Sequence, residues 1–217
     1  VNTLQKTALT SGNWEVHEVF IAKDKKSLYL IANKIHPGVR NGYQLNLQTK
    51  QLIPLFEGNF GIEWQLSPDG KTWAIRYSTS TQPWELYTAP NKVGATMTRI
   101  TKSTLPAFDQ LKITAPSIVS IPTSDGQQAV ARLYKGTKSN GAAVLFVHGA
   151  GYLQNAHHYW SYYQREMLFH QLLIAQGYTV LDVDYRASEG YGRKWRTDIY
   201  RHMGERDLLD YVDAKNY

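Results

Sequence analysis

Two incomplete β-propeller blades followed by an open α/β sheet are what this sequence predicts, from three observations. First, an internal repeat of roughly 45 residues runs through the first half, the length of one four-stranded blade. Leu9-Thr10-Ser11-Gly12-Asn13-Trp14 is echoed by Leu55-Phe56-Glu57-Gly58-Asn59-Phe60, and Ala22-Lys23-Asp24-Lys25-Lys26-Ser27 by Ser67-Pro68-Asp69-Gly70-Lys71-Thr72. Second, an unbroken apolar run at 142–147 stops abruptly at His148-Gly149-Ala150-Gly151. Third, the pattern beyond it reads helix, strand, helix, so parallel strands joined by helical crossovers are expected. The change of pattern falls near Leu111, which divides the chain into 1–111 and 112–217.

Within the repeat, 16–21 and 28–32 alternate as strands around a charged turn. The equivalent pair, 62–66 and 72–77, flanks Ser67-Pro68-Asp69-Gly70. Pro68 presets φ there, and Gly70 accepts the positive φ of a tight hairpin. Segments 43–47 and 84–88 read as third strands, and 52–56 and 97–101 as fourth strands. Ile100-Thr101 resembles the start of a third copy. Propellers typically close with about four to eight blades, so further blades are expected ahead of Val1.

In the second half, 113–121 and 129–133 are strands around Thr123-Ser124-Asp125-Gly126. The run 142–147 suits a fully buried parallel strand. A helix is expected over 161–176, with Met167, Leu168, Leu172 and Ile174 on its packed face and Gly177 as its stop. Strand 178–184 follows, then a helix over 206–215 that packs Leu208, Leu209 and Val212 on the sheet.

Composition narrows the function classes. The 217 residues are 42% apolar and 12% aromatic, which suits a folded, sheet-rich chain. The formal charge is +6, but Lys and Arg are scattered. The densest basic cluster, Lys23 to Lys26, occupies a hairpin tip and reads as a solvated turn, so no nucleic-acid partner is expected. With no Cys, disulfides, thiolate metal sites and Cys nucleophiles are excluded within these residues. No apolar run reaches the roughly 18–20 residues of a membrane span, so none is expected. The opening at Val1, without Met or an apolar leader, points to a processed chain or a fragment.

The order of these parts, together with a dense set of motifs, resembles the prolyl oligopeptidase family, in its dipeptidyl-peptidase-IV-like and acylaminoacyl-peptidase-like branches. The motifs are Val147-His148-Gly149-Ala150-Gly151, Gly177-Tyr178-Thr179-Val180, Asp184-Tyr185-Arg186-Ala187-Ser188-Glu189-Gly190-Tyr191-Gly192, Trp195-Arg196 and Gly204-Glu205-Arg206-Asp207. The resemblance implies that the second half is the N-terminal part of an α/β-hydrolase domain, and that the parent is a serine peptidase acting on short peptides. It implies no cofactor and no metal. The family's nucleophile sits in a Gly-x-Ser-x-Gly elbow. The nearest imitation, around Ser188, has Arg186 in the first Gly position, so the catalytic Ser, Asp and His are expected beyond Tyr217 and this chain alone is expected to be inactive. By family position, His148, Gly149 and Ala150 form the oxyanion-hole loop, with either the Gly149 or the Ala150 N–H as donor. The family commonly has His-Gly-Gly-Pro here, or Tyr in place of His in the dipeptidyl branch.

Other readings of these residues stand beside that one. A Gly-rich turn after a buried strand also cradles phosphate, although the spacing is not Gly-x-Gly-x-x-Gly. His148 reads as a packed loop imidazole. His157, His158 and His170 read as surface or helix-packing residues and not as a metal set. Asp184 and Arg186 read as a buried pair fixing the loop that follows them, or as ligand contacts at a strand's C-terminal end. The competing function is a non-catalytic propeller binding module fused to a degenerate α/β-hydrolase domain. A homo-oligomer, or the remaining segment of the same protein, is expected to complete the fold.

Overall fold

The computed structural model describes residues 6–150 and 152–217. Four antiparallel strands, β1 (Val16–Ile21), β2 (Ser27–Ala32), β3 (Asn41–Asn46) and β4 (Leu52–Phe56), form the first blade in sequence order. The second blade repeats this with β5 (Gly61–Leu66), β6 (Thr72–Ser78), β7 (Glu85–Pro90) and β8 (Thr98–Arg99). Alternation of apolar and polar residues sends Tyr29, Ile31, Trp64, Trp73 and Ile75 into one core shared by both blades. The Trp64 and Trp73 rings stack at 4.2 Å, with the Tyr29 ring edge-on to Trp73 at 4.9 Å. Lys23 Nζ reaches the Pro68 carbonyl at 2.8 Å, and Asn91 donates to the Tyr29 hydroxyl at 2.8 Å, tying blade to blade.

The third copy expected at Ile100-Thr101 does not begin there. The buried Glu85 carboxylate accepts from the Thr101 hydroxyl and, at 2.7 Å, from the Ser103 N–H. Those bonds draw the chain off the sheet and cut the fourth strand to Thr98–Arg99. A short helix, α1 (Pro106–Asp109), follows, with Pro106 in its first turn.

The second half adds β9 (Ser117–Pro122), β10 (Gln128–Lys135), β11 (Ala143–Phe146), α2 (Gln164–Ala175), β12 (Thr179–Asp184), α3 (Arg193–Thr197) and α4 (Arg206–Asn216). The sheet order is β11-β12-β10-β9, with β11 parallel to β12 and the other pairs antiparallel. Alternation splits the strands between two faces. Tyr134 and Val180 pack with Met167 and Ile174 of α2, while Ala131, Leu181 and Val183 pack with Trp195 and Ala214 on the other side.

Three expectations need correction. β11 is not fully buried: it is the outer strand of its sheet, and Leu145 and Val147 are exposed. In α2 the inward residues are Met167, His170 and Ile174, and Leu172 points to solvent. In α4 the inward residues are Asp210 and Ala214, so Leu208, Leu209 and Val212 face away from the sheet. The inward side of α4 was drawn by charge: Asp210 meets Arg186 there.

Candidate active site

Parallel pairing of β11 and β12 sets Phe146 opposite Asp182, so His148 and Asp184, each two residues further on, end up level at the C-terminal edge of the sheet. His148 is buried, with its ring 4.9 Å from that of Tyr185. Its Nε2 lies 3.2 Å from Asp184 Oδ1 and its Nδ1 lies 3.0 Å from the Gly149 carbonyl oxygen. Gly149 and Ala150 are exposed, and the Gly149 N–H donates to the Tyr163 hydroxyl at 2.8 Å. A Cβ at Gly149 would stand 3.0 Å from that hydroxyl, so the close approach favours glycine. The Ala150 N–H has no acceptor among the described residues. Gly151 lies outside the described residues.

Beneath the loop, the same alternation sends Asp182 and Asp184 to one face of β12, where both are fully buried. Asp184 accepts from the Asn155 N–H at 2.7 Å, the Ala156 N–H at 3.0 Å and the Tyr191 hydroxyl at 2.6 Å. Asp182 accepts from the Asn155 side chain, whose oxygen accepts in turn from the Ser161 hydroxyl at 2.6 Å. Burial, reinforced by the charge of Asp184 and opposed by Arg132, His148 and Asn155, pushes the Asp182 carboxyl up to about 7. Burial alone would favour a neutral His148 ring; the hydrogen bond and charge of Asp184, the Gly149 carbonyl and the charge of Asp182 outweigh it and raise its pKa.

Ser188 Oγ lies 3.5 Å from His148 Nε2, a contact that superficially resembles part of a Ser-His-Asp triad. A triad needs the serine and the carboxylate on opposite ring nitrogens. Here both meet Nε2, the other nitrogen faces a backbone carbonyl, and Ser188 is buried. The arrangement is structural.

Asp184 and Arg186 do not pair with each other, contrary to the sequence reading. Asp184 faces the α2 side, whereas Arg186 turns to the α4 side and meets Asp210 at 2.8 Å, Asp125 at 2.6 Å and Asp198 at 3.0 Å, over the ring of Trp195. Nor is His157 a surface residue: it is fully buried, and Arg132 donates to its Nδ1 at 2.8 Å. His158 packs on His36, and His170 lies between Tyr134 and Phe146, so the three rings serve different neighbours.

The first blade holds the loop that follows β12. The Glu15 carboxylate accepts the Gly190 and Gly192 N–H groups at 3.0 and 2.9 Å, and Asn33 donates to the Gly190 carbonyl at 2.8 Å. Arg40 bonds Gln154 at 2.8 Å and Glu189 at 3.3 Å. Sequence reasoning missed Glu15, Asn33, Arg40, Asn155 and Tyr163, whose partners lie far along the chain. Asp182 had a signal: two carboxylates at i and i+2 on one face of an otherwise apolar strand.

Residues 164–217 match the model of the prolyl oligopeptidase family, and residues 1–84 match that of the dipeptidyl peptidase IV N-terminal region. An uncharacterized peptidase, YuxL, of Bacillus subtilis is 23% identical over 196 residues, covering 88% of this chain and 28% of the relative. A probable dipeptidyl peptidase 4 of Aspergillus fumigatus is 26% identical over 220 residues, covering 95% and 28%. The chain therefore spans under a third of the length of these relatives. The crystal structure of Porphyromonas gingivalis dipeptidyl peptidase 4 superposes with a TM-score of 0.80 at 18% identity, over 96% of this chain and 30% of that one. That likeness shares the fold: propeller blades followed by the start of an α/β-hydrolase domain. With both family models matched in the order the fold requires, the comparisons support a dipeptidyl-peptidase-IV-like peptidase of the prolyl oligopeptidase family.

Proposed function

We propose that this chain is the propeller–hydrolase junction of a serine peptidase that cleaves short peptides, and that it supplies one oxyanion donor, the Ala150 N–H. In this reading 1–111 is propeller, 112–217 begins the hydrolase domain, and the catalytic Ser, Asp and His lie beyond Tyr217, so the chain alone is inactive. The exposed outer edge of β11 and the outward Leu208, Leu209 and Val212 support further strands and helices of the same protein covering them.

A single observation carries the donor assignment. The Gly149 N–H is already engaged by Tyr163, whereas the N–H of Ala150, an exposed residue, has no acceptor among the described residues. When a seryl oxygen adds to a peptide carbonyl, the carbonyl π pair moves onto oxygen, and an N–H aimed at that oxygen stabilises the new charge by about 2.7–4 kcal/mol. The second donor, in such folds, follows the nucleophile.

Replacing Ala150 by Pro in the full-length protein removes the N–H. The expected result is a kcat lower by about a hundred- to a thousandfold, with circular dichroism unchanged. A folded variant with unchanged turnover sinks the donor assignment. A full-length protein that a fluorophosphonate probe does not label on serine sinks the peptidase reading and favours a non-catalytic binding module.

A further inference from the structure

We propose that Asp184 is a positioning residue for this acyl transfer, fixing the Gly149–Ala150 peptide through the ring of His148 so that the Ala150 N–H faces the substrate. The inference rests on the oxyanion reading above. The Gly149 carbonyl and the Ala150 N–H belong to one planar, trans peptide unit, so they point in opposite directions. Holding the carbonyl against the buried His148 ring therefore turns the N–H outward, to the exposed side of the loop.

Both nitrogens of His148 face acceptor oxygens, the Gly149 carbonyl at 3.0 Å and Asp184 Oδ1 at 3.2 Å. A neutral imidazole carries one N–H and serves only one of them; the imidazolium serves both. Asp184 supplies the opposing charge, and it cannot swing away. The Asn155 and Ala156 N–H groups hold one of its oxygens and the Tyr191 hydroxyl holds the other. The titratable groups that face the ring are Asp182 and Asp184 on β12, Tyr185 directly after it, and Tyr163 ahead of α2. The two carboxylates favour the charged ring, in line with its raised pKa. As pH rises through that value the ring loses a proton; the one that remains is held on Nε2 by the Asp184 carboxylate, the Gly149 carbonyl loses its donor, and the peptide is free to turn. Activity falls on the alkaline side.

The test measures kcat and KM against pH for the full-length protein with a chromogenic short-peptide substrate, comparing wild type, Asp184→Asn and His148→Gln, with fluorophosphonate labelling of each. Asp184→Asn is expected to lower kcat about ten- to a hundredfold, to leave KM within about threefold, and to move the alkaline limb at least about one unit lower. His148→Gln is expected to lower kcat similarly and to remove that limb. A folded Asp184→Asn with wild-type kcat, or an alkaline limb unmoved in both variants, overturns the proposal and leaves the peptidase reading standing. A wild type with no labelled serine overturns both. If Asp184→Asn does not fold, His148→Gln decides alone: wild-type kcat, or a limb kept at the wild-type pH, overturns the positioning role.

Discussion

The blades are held by a buried aromatic centre, whereas the α/β sheet, besides its apolar packing against α2, α3 and α4, buries charged groups on both faces. In the blades, Phe20, Tyr29, Trp64 and Trp73 pack ring against ring, with Trp73 fully buried and its indole N–H donating to Asn91 at 3.0 Å. Around the sheet the buried polar groups form two sets on opposite faces: Arg132, His148, Asn155, Asp182 and Asp184 on the α2 side, and Arg186 with Asp210 on the α4 side. Apolar packing is non-directional and tolerates exchange of shape. A buried polar network is stable only when its partners are complete, so it specifies one arrangement and fails as a unit.

The largest expected effect exploits that difference. Arg186→Ala leaves the buried Asp210 without its counter-charge and should destabilise by about 3–5 kcal/mol. Adding Asp210→Asn removes the stranded charge, so the pair should cost less than the sum of the single variants by about 1 kcal/mol or more in urea unfolding. Trp73→Ala should also cost about 3–5 kcal/mol, yet add independently to either variant. Additivity of Arg186→Ala with Asp210→Asn would break the comparison.

Legibility followed the same divide. The blade strands came from alternation, and the Ser67-Pro68-Asp69-Gly70 hairpin from turn chemistry, because each is settled by neighbours in sequence. The ends of β11 and β12 were readable for the same reason. Leu208, Leu209 and Val212 misled because helical spacing alone cannot see Arg186, whose charge takes the inward side of α4 for Asp210. The expected Asp184–Arg186 pair failed on geometry, since the chain leaves β12 between the sheet's two faces. Tyr163 on the Gly149 amide, and Glu15 on Gly190 and Gly192, join residues 14 and more than 170 positions apart. No local pattern encodes them.

Acidity should separate the blades from the sheet more gently, and with opposite signs. Glu85 would be raised by burial, but the Thr101 hydroxyl, the Ser103 N–H and Arg99 outweigh it and hold it at about 2. A depressed carboxyl contributes stability above its ordinary value of 4.5 and loses it as pH falls toward 2. Asp182 is the reverse. Its carboxyl is raised from 3.8 to about 7, so its contribution is full below 3.8 and is lost as pH rises through 7. Hydrogen exchange corrected for intrinsic rates should show β10 and β12 gaining protection from pH 8 to pH 5, and the amides around β7 losing it only below about pH 4.5. Asp182→Asn should abolish the first change and leave the second. Both regions moving in the same direction would contradict the assignment.

The smallest effect isolates a purely local term by setting one blade against the other. The β1–β2 turn and the β5–β6 turn are closed by the same bonds. Lys25 N–H meets the Ala22 carbonyl at 2.9 Å, as Gly70 N–H meets that of Ser67, and Asp24 and Asp69 each accept from the backbone N–H two residues on. Both turns need a left-handed residue. The second blade uses Gly70 at φ 78°, and the first uses Lys25 at φ 57°. An L-residue there costs about 1–2 kcal/mol, while glycine loses about 0.4–1 kcal/mol more chain entropy on folding. Lys25→Gly should therefore stabilise the first blade by about 0.5–1 kcal/mol, and Gly70→Lys should destabilise the second by a similar amount. A Cβ at Gly70 meets nothing within 4 Å, so the reverse exchange adds no clash at Cβ and reads chiefly backbone strain. Exchange rates of the hairpin amides in each blade should report shifts of opposite sign, and the double exchange should return close to wild type. Two shifts of the same sign would mean that the side chains, and not the backbone, govern these turns.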